Sequence, residues 1–244
     1  MGHPRRIGLL LPSSNTTQEI EYWRIMPPGV SLHVARLPLR NVEASATARI
    51  VEDIETEARK LADADVDAIV LAATAPSSRG GPGYDQQLIG RITGASGRPA
   101  TTAATAQNRA MAALGVTRIV IAAPWSDAVN ESAAAFLTAS GHTVLAHRAL
   151  GHVANLDIGR LDPATALELG RAVDRPDAQA VLLACGNWLT LDIVDQLEQA
   201  LGKPVMTTNQ VSLWDVLRLA GHTSPIAGWG RLLSDPAHWN GAHP

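Results

Sequence analysis

The chain repeats itself at a separation of 112 residues. IGLLLPSSN (7–15) matches IVIAAPWSD (119–127), and DAIVLAAT (67–74) matches QAVLLACG (179–186), so Ala73 is in register with Cys185. A third match, of GRPATT (97–102) with GKPVMT (202–207), has a separation of 105 residues. Chance similarity between generic strands is the alternative, but two equal separations argue against it. The repeat predicts two homologous halves that fold alike.

Each half alternates short apolar runs with longer segments rich in Ala, Leu and Glu. Continuous apolar runs are typical of parallel strands that are covered on both faces. Strands are predicted at residues 6–12, 30–37, 68–74, 99–102, 117–124, 142–148, 180–185 and 204–208. Helices are predicted near residues 44–63, 84–95, 103–114, 127–140, 163–173, 190–201 and 209–220. The pattern predicts an α/β fold of two pseudo-symmetric halves, each with four parallel strands, and a site between them.

The composition excludes several classes of function. A net charge of −3 gives no basic footprint, so no nucleic-acid partner is expected. The single cysteine excludes an internal disulfide and a cysteine-based zinc site. The apolar run at residues 7–11 is too short for a signal segment, and no run approaches the ~18 residues of a membrane span. We therefore expect no membrane partner and a cytoplasmic location.

Motifs for cofactors and metals are missing from the sequence. Neither the phosphate-binding loop G-x-x-x-x-G-K-[ST] nor the dinucleotide-binding G-x-G-x-x-G after a strand occurs. The histidines show no H-x-x-x-H spacing. We therefore expect neither a metal nor a nucleotide cofactor.

The predicted strand ends bring the candidate site residues together. Ligands of open α/β sheets bind at the carboxyl ends of the strands. The residues that follow the first and third strands of both halves should therefore converge on one site: Ser13, Ser14, Asn15, Thr74, Ala75, Trp125, Ser126, Cys185 and Gly186.

Cys185 is the main candidate for a reactive group. It ends a predicted strand and precedes Gly186, where free backbone N–H groups would favour negative charge and could lower the pKa of a thiol. A buried, inert cysteine is the alternative. Its position at a strand end before glycine favours a functional role.

Four polar residues are candidates for binding a small carboxylate. Thr74 offers a hydroxyl, although its turn could be an ordinary loop. Ser14 and Asn15 are small donors that could equally cap a helix. Asn155 lies in the long connection after the sixth strand and is a weaker candidate.

Four segments of the chain resemble the aspartate/glutamate racemase superfamily. These are PSSNTT (12–17), AAT (72–74), ACG (184–186) and SLWD (212–215). The groups that the chain resembles most are the maleate cis-trans isomerases and the arylmalonate decarboxylases, over roughly residues 6 to 233. The resemblance implies two pseudo-symmetric α/β halves with the site between them, in agreement with the repeat.

The resemblance also implies a division of roles. Racemases and isomerases of the superfamily use two cysteines, one in each half, and here the first position is Ala73. Arylmalonate decarboxylases keep only the second cysteine, which protonates one face of the enediolate left by loss of CO2. Carried over, Cys185 is the proton donor, and Thr74 with the backbone of Ala75 and Gly186 forms a dioxyanion hole. Leu39 and Val42 would contribute to an apolar wall.

Three residues depart from the decarboxylase pattern. Trp125 aligns with the tyrosine of the family, and its indole N–H can still donate. Asn15 and Asn155 stand where isomerases bind a substrate carboxylate. The leading hypothesis is a cofactor-independent decarboxylase of a malonate-type diacid. The alternatives are an isomerase or racemase acting on a small carboxylate such as maleate, and a catalytically inactive carboxylate-binding protein.

The domain organisation follows from the same repeat. Residues 1–115 together with 208–233 are predicted to form the first half, residues 116–207 the second, and residues 234–244 an irregular tail. The expected partner is a small-molecule carboxylate, and formation of a homo-oligomer stays open.

Overall fold

The computed structural model describes residues 4–42, 50 and 52–239, and these residues contain two four-stranded, all-parallel sheets. The first consists of Arg5–Pro12 (β1), Val30–Leu37 (β2), Ala68–Leu71 (β3) and Ala100–Thr102 (β4), in the order β2-β1-β3-β4. The second consists of Arg118–Trp125 (β5), Thr143–His152 (β6), Ala180–Leu183 (β7) and Val205–Thr207 (β8), in the order β6-β5-β7-β8. The equivalent orders confirm the predicted α/β fold of two pseudo-symmetric halves.

The strand register preserves the separations seen in the sequence. Ile7 of β1 pairs with Ala68 of β3, and the residues 112 positions later, Ile119 and Ala180, pair in the same way. Ala100 of β4 is likewise 105 residues before its counterpart Val205 of β8. The repeat is therefore a structural repeat.

Helices flank both sheets. Their bounds are Gln18–Ile25 (α1), Ile54–Asp63 (α2), Thr74–Ser78 (α3), Tyr84–Ser96 (α4), Ala103–Leu114 (α5), Asp127–Ala139 (α6), Asn155–Ile158 (α7), Pro163–Val173 (α8), Val194–Leu201 (α9), Thr208–Leu219 (α10) and Arg231–Ser234 (α11). Two 3-10 turns lie at Leu191–Ile193 and Pro236–His238. Helices α4, α5, α6, α8 and α10 begin and end within one residue of the predicted bounds. Of the helix predicted near residues 44–63, α2 is seen, and residues 43–49 and 51 lie outside the described residues.

Helix α1 has no counterpart among the predicted helices, and its burial pattern explains why. Gln18 and Glu21 are buried in it, whereas Ile20 and Trp23 are more than half exposed. Although Tyr22 and Ile25 are buried as well, this mixture of polar and apolar residues on both faces gives no clear apolar stripe in the sequence.

Strands β3 and β7 are shorter than predicted, and this difference shapes the site. The prediction placed Ala73 and Cys185 within strands, but β3 ends at Leu71 and β7 at Leu183. Ala72 and Ala184 still donate their backbone N–H groups to the neighbouring strands, and the chain leaves the ladder after them. Ala73 and Cys185 therefore lie in turns, each two residues beyond its strand.

Helix α10 packs on the first half although it follows the second in sequence. It contacts α5, β3 and β4. Asp215 of α10 is fully buried and accepts from Arg109 of α5 at 3.0 Å and from Thr101 of β4 at 2.6 Å. This packing agrees with the prediction that residues 208–233 lie beside the first half. The exact boundaries of the two halves stay a prediction.

The last described residues are more ordered than an irregular tail. Ser234 closes α11, a 3-10 turn follows, and the indole of Trp239 is buried and donates to the carbonyl of Leu233 at 2.9 Å. Residues 240–244 lie outside the described residues. In the part of the chain that is described, none of the helices has the length and hydropathy that crossing a bilayer requires.

Candidate active site

The carboxyl ends of β1, β3, β5 and β7 meet around an open cavity of about 340 Å³, a volume that includes space open to solvent. Its walls are contributed by both halves, as the convergence of strand ends predicts. The lining residues are Pro12, Asn15, Leu39, Val42, Ala72, Ala73, Thr74, Ala75, Pro76, Trp125, Asn155, Cys185, Gly186 and Asn187. Most of the predicted site residues are thus together in one cavity, while Ser13, Ser14 and Ser126 do not line it.

Cys185 is buried in the turn after β7, with only 5% of its surface exposed. Burial raises the pKa of its thiol to about 12, an effect that a hydrogen bond from the backbone N–H of Asn187 partly opposes. The expectation that free N–H groups could lower this pKa is therefore wrong, because desolvation of the thiolate outweighs one hydrogen bond. At neutral pH the side chain is a neutral thiol, which can give a proton.

The backbone at Cys185 is strained. Its φ of +152° lies in a region that residues with a side chain rarely adopt. A Cβ on the neighbouring Gly186 would meet Oε1 of the buried Gln18, so that side chain would have to move to admit any other residue. The turn thus packs closely against the start of α1.

Ala73 occupies in the first half the position that Cys185 occupies in the second. It is almost fully buried and lines the same cavity. A methyl group can neither give nor take a proton, so within the described residues the two equivalent positions provide one acid.

Two backbone N–H groups on opposite sides of the cavity remain available to a ligand. Among the described residues, none accepts a hydrogen bond from the backbone N–H of Ala75 or of Gly186. Ala75 is in the first turn of α3, where backbone N–H groups have no partner within the helix. Both residues line the cavity, so the pair can bind an anionic oxygen.

The side chain of Thr74 adds a hydroxyl to this set of donors. Its Oγ1 lies 3.2 Å from Oγ1 of Thr208, and Thr208 in turn accepts the backbone N–H of Cys185 at 3.1 Å. Thr208 was not among the predicted site residues. It reaches the site from the start of α10, more than 20 residues after Cys185, and the sequence carries no signal for that contact.

Asn15 combines the two roles considered for it. Its Oδ1 accepts the backbone N–H groups of Thr17 at 3.0 Å and Gln18 at 2.9 Å, which fixes the start of α1. Because the carbonyl end of the amide is used in this way, its Nδ2 is the end left for the cavity. Asn15 therefore presents a donor of the kind that binds a carboxylate.

Ser14 and Asn155 form a bridge beside the cavity. Nδ2 of Asn155 donates to Oγ of Ser14 at 2.9 Å, and that hydroxyl donates to the carbonyl of Leu39. Ser14 is consequently a structural link between the halves and does not line the cavity. Asn155 lines it, with one of its amide hydrogens committed to Ser14.

Asn187 is a lining residue that the sequence interpretation missed. Its Oδ1 accepts the backbone N–H of Thr16 at 2.8 Å, and its Nδ2 donates to the carbonyl of Asn155 at 2.6 Å. It thereby ties the cysteine turn to both the first half and α7. Its place directly after Cys185 and Gly186 is the signal that could have pointed to it.

Trp125 and Ser126 differ in how they relate to the cavity. Trp125 lines it and is almost fully buried, but its indole N–H is 3.3 Å from Oδ1 of Asn130 and is already used. The hypothesis that this N–H serves a substrate is therefore not supported by the geometry. Ser126 immediately precedes α6 and does not line the cavity.

A second opening lies beside the cavity. Its volume on the same basis, with space open to solvent included, is about 780 Å³, and its walls are formed by Ser13, Ser14, Arg40, Asn41, Ala154 and Leu156. Across residues 4–42, 50 and 52–239, histidine, cysteine and acidic side chains form no group of three or more that could hold a metal ion.

The chain matches the family model described as arylmalonate decarboxylase over residues 7–233. It is 32% identical over 232 residues to the arylmalonate decarboxylase of Bordetella bronchiseptica, covering 94% of this chain and 96% of the relative. It is also 26% identical over 243 residues to a maleate isomerase of Geobacillus stearothermophilus, covering 94% and 97%.

Solved structures of the same enzymes share the fold. A double mutant of arylmalonate decarboxylase in a liganded form has a TM-score of 0.89 at 30% identity, over 94% of this chain and 98% of the other. A cysteine-to-serine mutant of the Nocardia farcinica maleate cis-trans isomerase, with a covalently bound succinylcysteine intermediate, has a TM-score of 0.91 at 26% identity, over 94% and 98%. These relatives are lyases and isomerases, so this chain is an enzyme of one of these two classes. It belongs to the arylmalonate decarboxylase family.

Proposed function

We propose that this enzyme decarboxylates a malonate-type diacid without a cofactor, and that Cys185 is its single proton donor. The observation that carries the proposal is the pairing of a buried, protonated thiol at Cys185 with Ala73 at the equivalent position of the same cavity. A site with an acid on one face only suits a reaction that adds one proton to one face of a carbanion.

The cavity has donors for one carboxylate of such a substrate. The hydroxyl of Thr74 and the backbone N–H groups of Ala75 and Gly186 would hold it through both oxygens. The same oxygens carry the charge of the enediolate, so these donors stabilise the product of C–C cleavage more than the substrate. Each donor of this kind can contribute about 3–4 kcal/mol to transition-state stabilisation.

The other carboxylate would lie against the apolar wall. Leu39 and Val42 are buried and line the cavity together with Pro12 and Pro76. A carboxylate beside such a wall loses hydration, which favours its departure as neutral CO2. The C–C bond breaks, its electron pair passes into the enediolate, and CO2 leaves.

Cys185 completes the reaction by protonating the α-carbon. The S–H proton moves to carbon, the enediolate becomes a monocarboxylate, and the sulfur is left as a thiolate. The backbone N–H of Asn187 stabilises that thiolate. A proton from water then restores the thiol for the next turnover.

An isomerase that acts on a small unsaturated diacid is the second candidate. The observation that favours it is the amide of Asn15, which lines the cavity and whose Oδ1 is already paired, so that its Nδ2 would be the donor for a second carboxylate. Addition of a thiolate to a double bond requires a deprotonated cysteine. Burial of Cys185 and the alanine at residue 73 both oppose that requirement, and decarboxylation therefore stands first.

The direct test is incubation of the purified enzyme with methyl(phenyl)malonate and with maleate. We expect CO2 release and one enantiomer of the monocarboxylate from the malonate, and no fumarate from maleate. The matched control is Cys185→Ser, which keeps the size of the side chain and loses the acid. Absence of turnover with every disubstituted malonate from about pH 6 to about pH 9, around the usual thiol pKa, would rule out the decarboxylase. Fumarate formation that disappears in Cys185→Ser would establish the isomerase instead.

A further inference from the structure

Thr208 joins the two turns of the cavity through one hydroxyl group. Its Oγ1 accepts the backbone N–H of Cys185 at 3.1 Å and lies 3.2 Å from Oγ1 of Thr74. Nε2 of Gln107 also donates to it, at 3.4 Å. All four residues are buried, so their polar atoms depend on each other for hydrogen bonds.

Counting protons fixes the direction of the contact between the two threonines. A hydroxyl has two acceptor lone pairs and one hydrogen. The N–H of Cys185 and the Nε2–H of Gln107 occupy the lone pairs of Thr208, so its hydrogen is left for Oγ1 of Thr74. Thr74 then accepts from Thr208, and its own hydrogen is free to point into the cavity that it lines.

We propose that Thr208 is a positioning residue, which orients the hydroxyl of Thr74 as a donor to the reacting carboxylate. The inference rests on the proposed function, since the oxygens concerned are those of the enediolate. A hydroxyl that accepts one hydrogen bond becomes a better donor in the next, so Thr208 also strengthens the contact that it aims.

The local structure holds Thr208 in place for this role. It is the first residue of α10, and a reciprocal capping box fixes that turn. Oγ1 of Thr207 accepts from the backbone N–H of Gln210 at 3.1 Å, and Oε1 of Gln210 accepts from the backbone N–H of Thr207 at 3.4 Å. The helix is further anchored by buried Asp215. Because Thr208 is held firmly, its hydrogen bond to Thr74 needs little rearrangement during the reaction.

The test is a double-mutant cycle with Thr208→Val and Thr74→Val. Valine replaces the hydroxyl with a methyl group of similar size. We expect each single variant to lower kcat by about tenfold to a hundredfold, with a smaller change in KM, because the hydroxyl acts mainly on charge that develops in the reaction. If Thr208 acts through Thr74, the double variant loses no more than the larger single loss. Thr208→Ser keeps Oγ and should restore most of kcat.

Two outcomes would overturn the inference. Losses that multiply in the double variant would show that Thr208 acts through the backbone of Cys185 or through stability. An equal loss of kcat in Thr207→Val, which removes the neighbouring helix cap and no contact of Thr74, would show a general structural effect.

Binding of phenylacetate separates this inference from the proposed function. Its carboxylate offers two oxygens to the same donors without any chemistry. If the wild type decarboxylates no malonate, the proposed function fails, and the cycle is measured on the Kd of phenylacetate. Non-additive losses of affinity would still support the role of Thr208, whereas additive losses in log Kd would overturn it.

Discussion

Ala73 and Cys185 lie at the same place in the two halves of this enzyme, 112 residues apart in sequence and on one cavity in space. Each lies two residues beyond the third strand of its half. The fold therefore provides two equivalent positions, and one of them, Cys185, holds an ionisable side chain. This asymmetry leads to the first two predictions.

If the enzyme has the proposed function, replacing Cys185 with serine should abolish most of the decarboxylation. The hydroxyl is a much weaker acid than the thiol, and loss of a general acid typically costs 10²–10⁴-fold, so we expect kcat to fall by about that factor. Affinity for phenylacetate and the melting temperature should change little, because serine keeps the size of the side chain. A kcat within about tenfold of the wild type would contradict the role of Cys185 as proton donor.

Replacing Ala73 with cysteine should change the stereochemistry of the product. A thiol at residue 73 can protonate the face of the enediolate opposite to that served by Cys185. We expect Ala73→Cys to give a product of lower enantiomeric excess, and Ala73→Cys combined with Cys185→Ser to give the opposite enantiomer, measured by chiral chromatography. Ala73→Ser is the control for added size. The same enantiomer from the wild type and from the combined variant would contradict the equivalence of the two positions.

The sequence carried enough information to predict the halves and the core of the fold. Strand β2 was predicted with its observed bounds, because its apolar residues are dense and turn residues flank it. Helix α1 was missed because Gln18 and Glu21 face inward and Trp23 faces solvent, so only tertiary packing explains the helix. Strands β3 and β7 were predicted to extend too far, because the apolar run continues past the residue at which each strand ends. Ala72 and Ala184, which follow those ends, are apolar like the strand residues before them.

The location of the site could be predicted from the sequence, whereas several of its hydrogen bonds could not. The rule that parallel strands end at one edge was enough to bring Cys185, Thr74 and Asn15 together. It could not show that Ser14 is committed to a bridge, or that the indole of Trp125 is paired within its own half. The role of Thr208 depends on how α10 packs, which no local pattern encodes.

The stability of the fold should fall between about pH 9 and about pH 12, in part because of Cys185. Burial raises the pKa of the thiol from 9.0 to about 12, so over this range the folded chain keeps a proton that the unfolded chain has lost. This contribution is complete below pH 9 and is lost as the pH approaches the folded value. The pKa of buried Tyr22 is also raised, which adds to the decline at the upper end.

Comparison of the wild type with Cys185→Ser separates the contribution of the thiol to stability between about pH 9 and about pH 12 from that of other groups. The variant keeps Tyr22 and lacks the thiol, so its free energy of unfolding in urea should fall less steeply with pH than that of the wild type. The thiolate absorbance of the folded wild type should appear only well above pH 9. A folded-state thiolate that titrates at the ordinary value would contradict the burial argument.

Replacing Asn15 with aspartate should weaken substrate binding without weakening the fold. One carboxylate oxygen can still accept the backbone N–H groups of Thr17 and Gln18, so α1 keeps its start. The other replaces the Nδ2 donor with a negative charge at the cavity wall. Loss of a hydrogen bond to a charged group costs about 1.5–3 kcal/mol, so we expect KM for a diacid to rise by more than about tenfold, with repulsion adding to the loss. Asn41→Asp is the matched control, because it adds the same charge at the exposed mouth of the second opening. An equal rise in KM for both variants would indicate long-range repulsion alone, and an unchanged KM in Asn15→Asp would show that Asn15 does not bind the substrate.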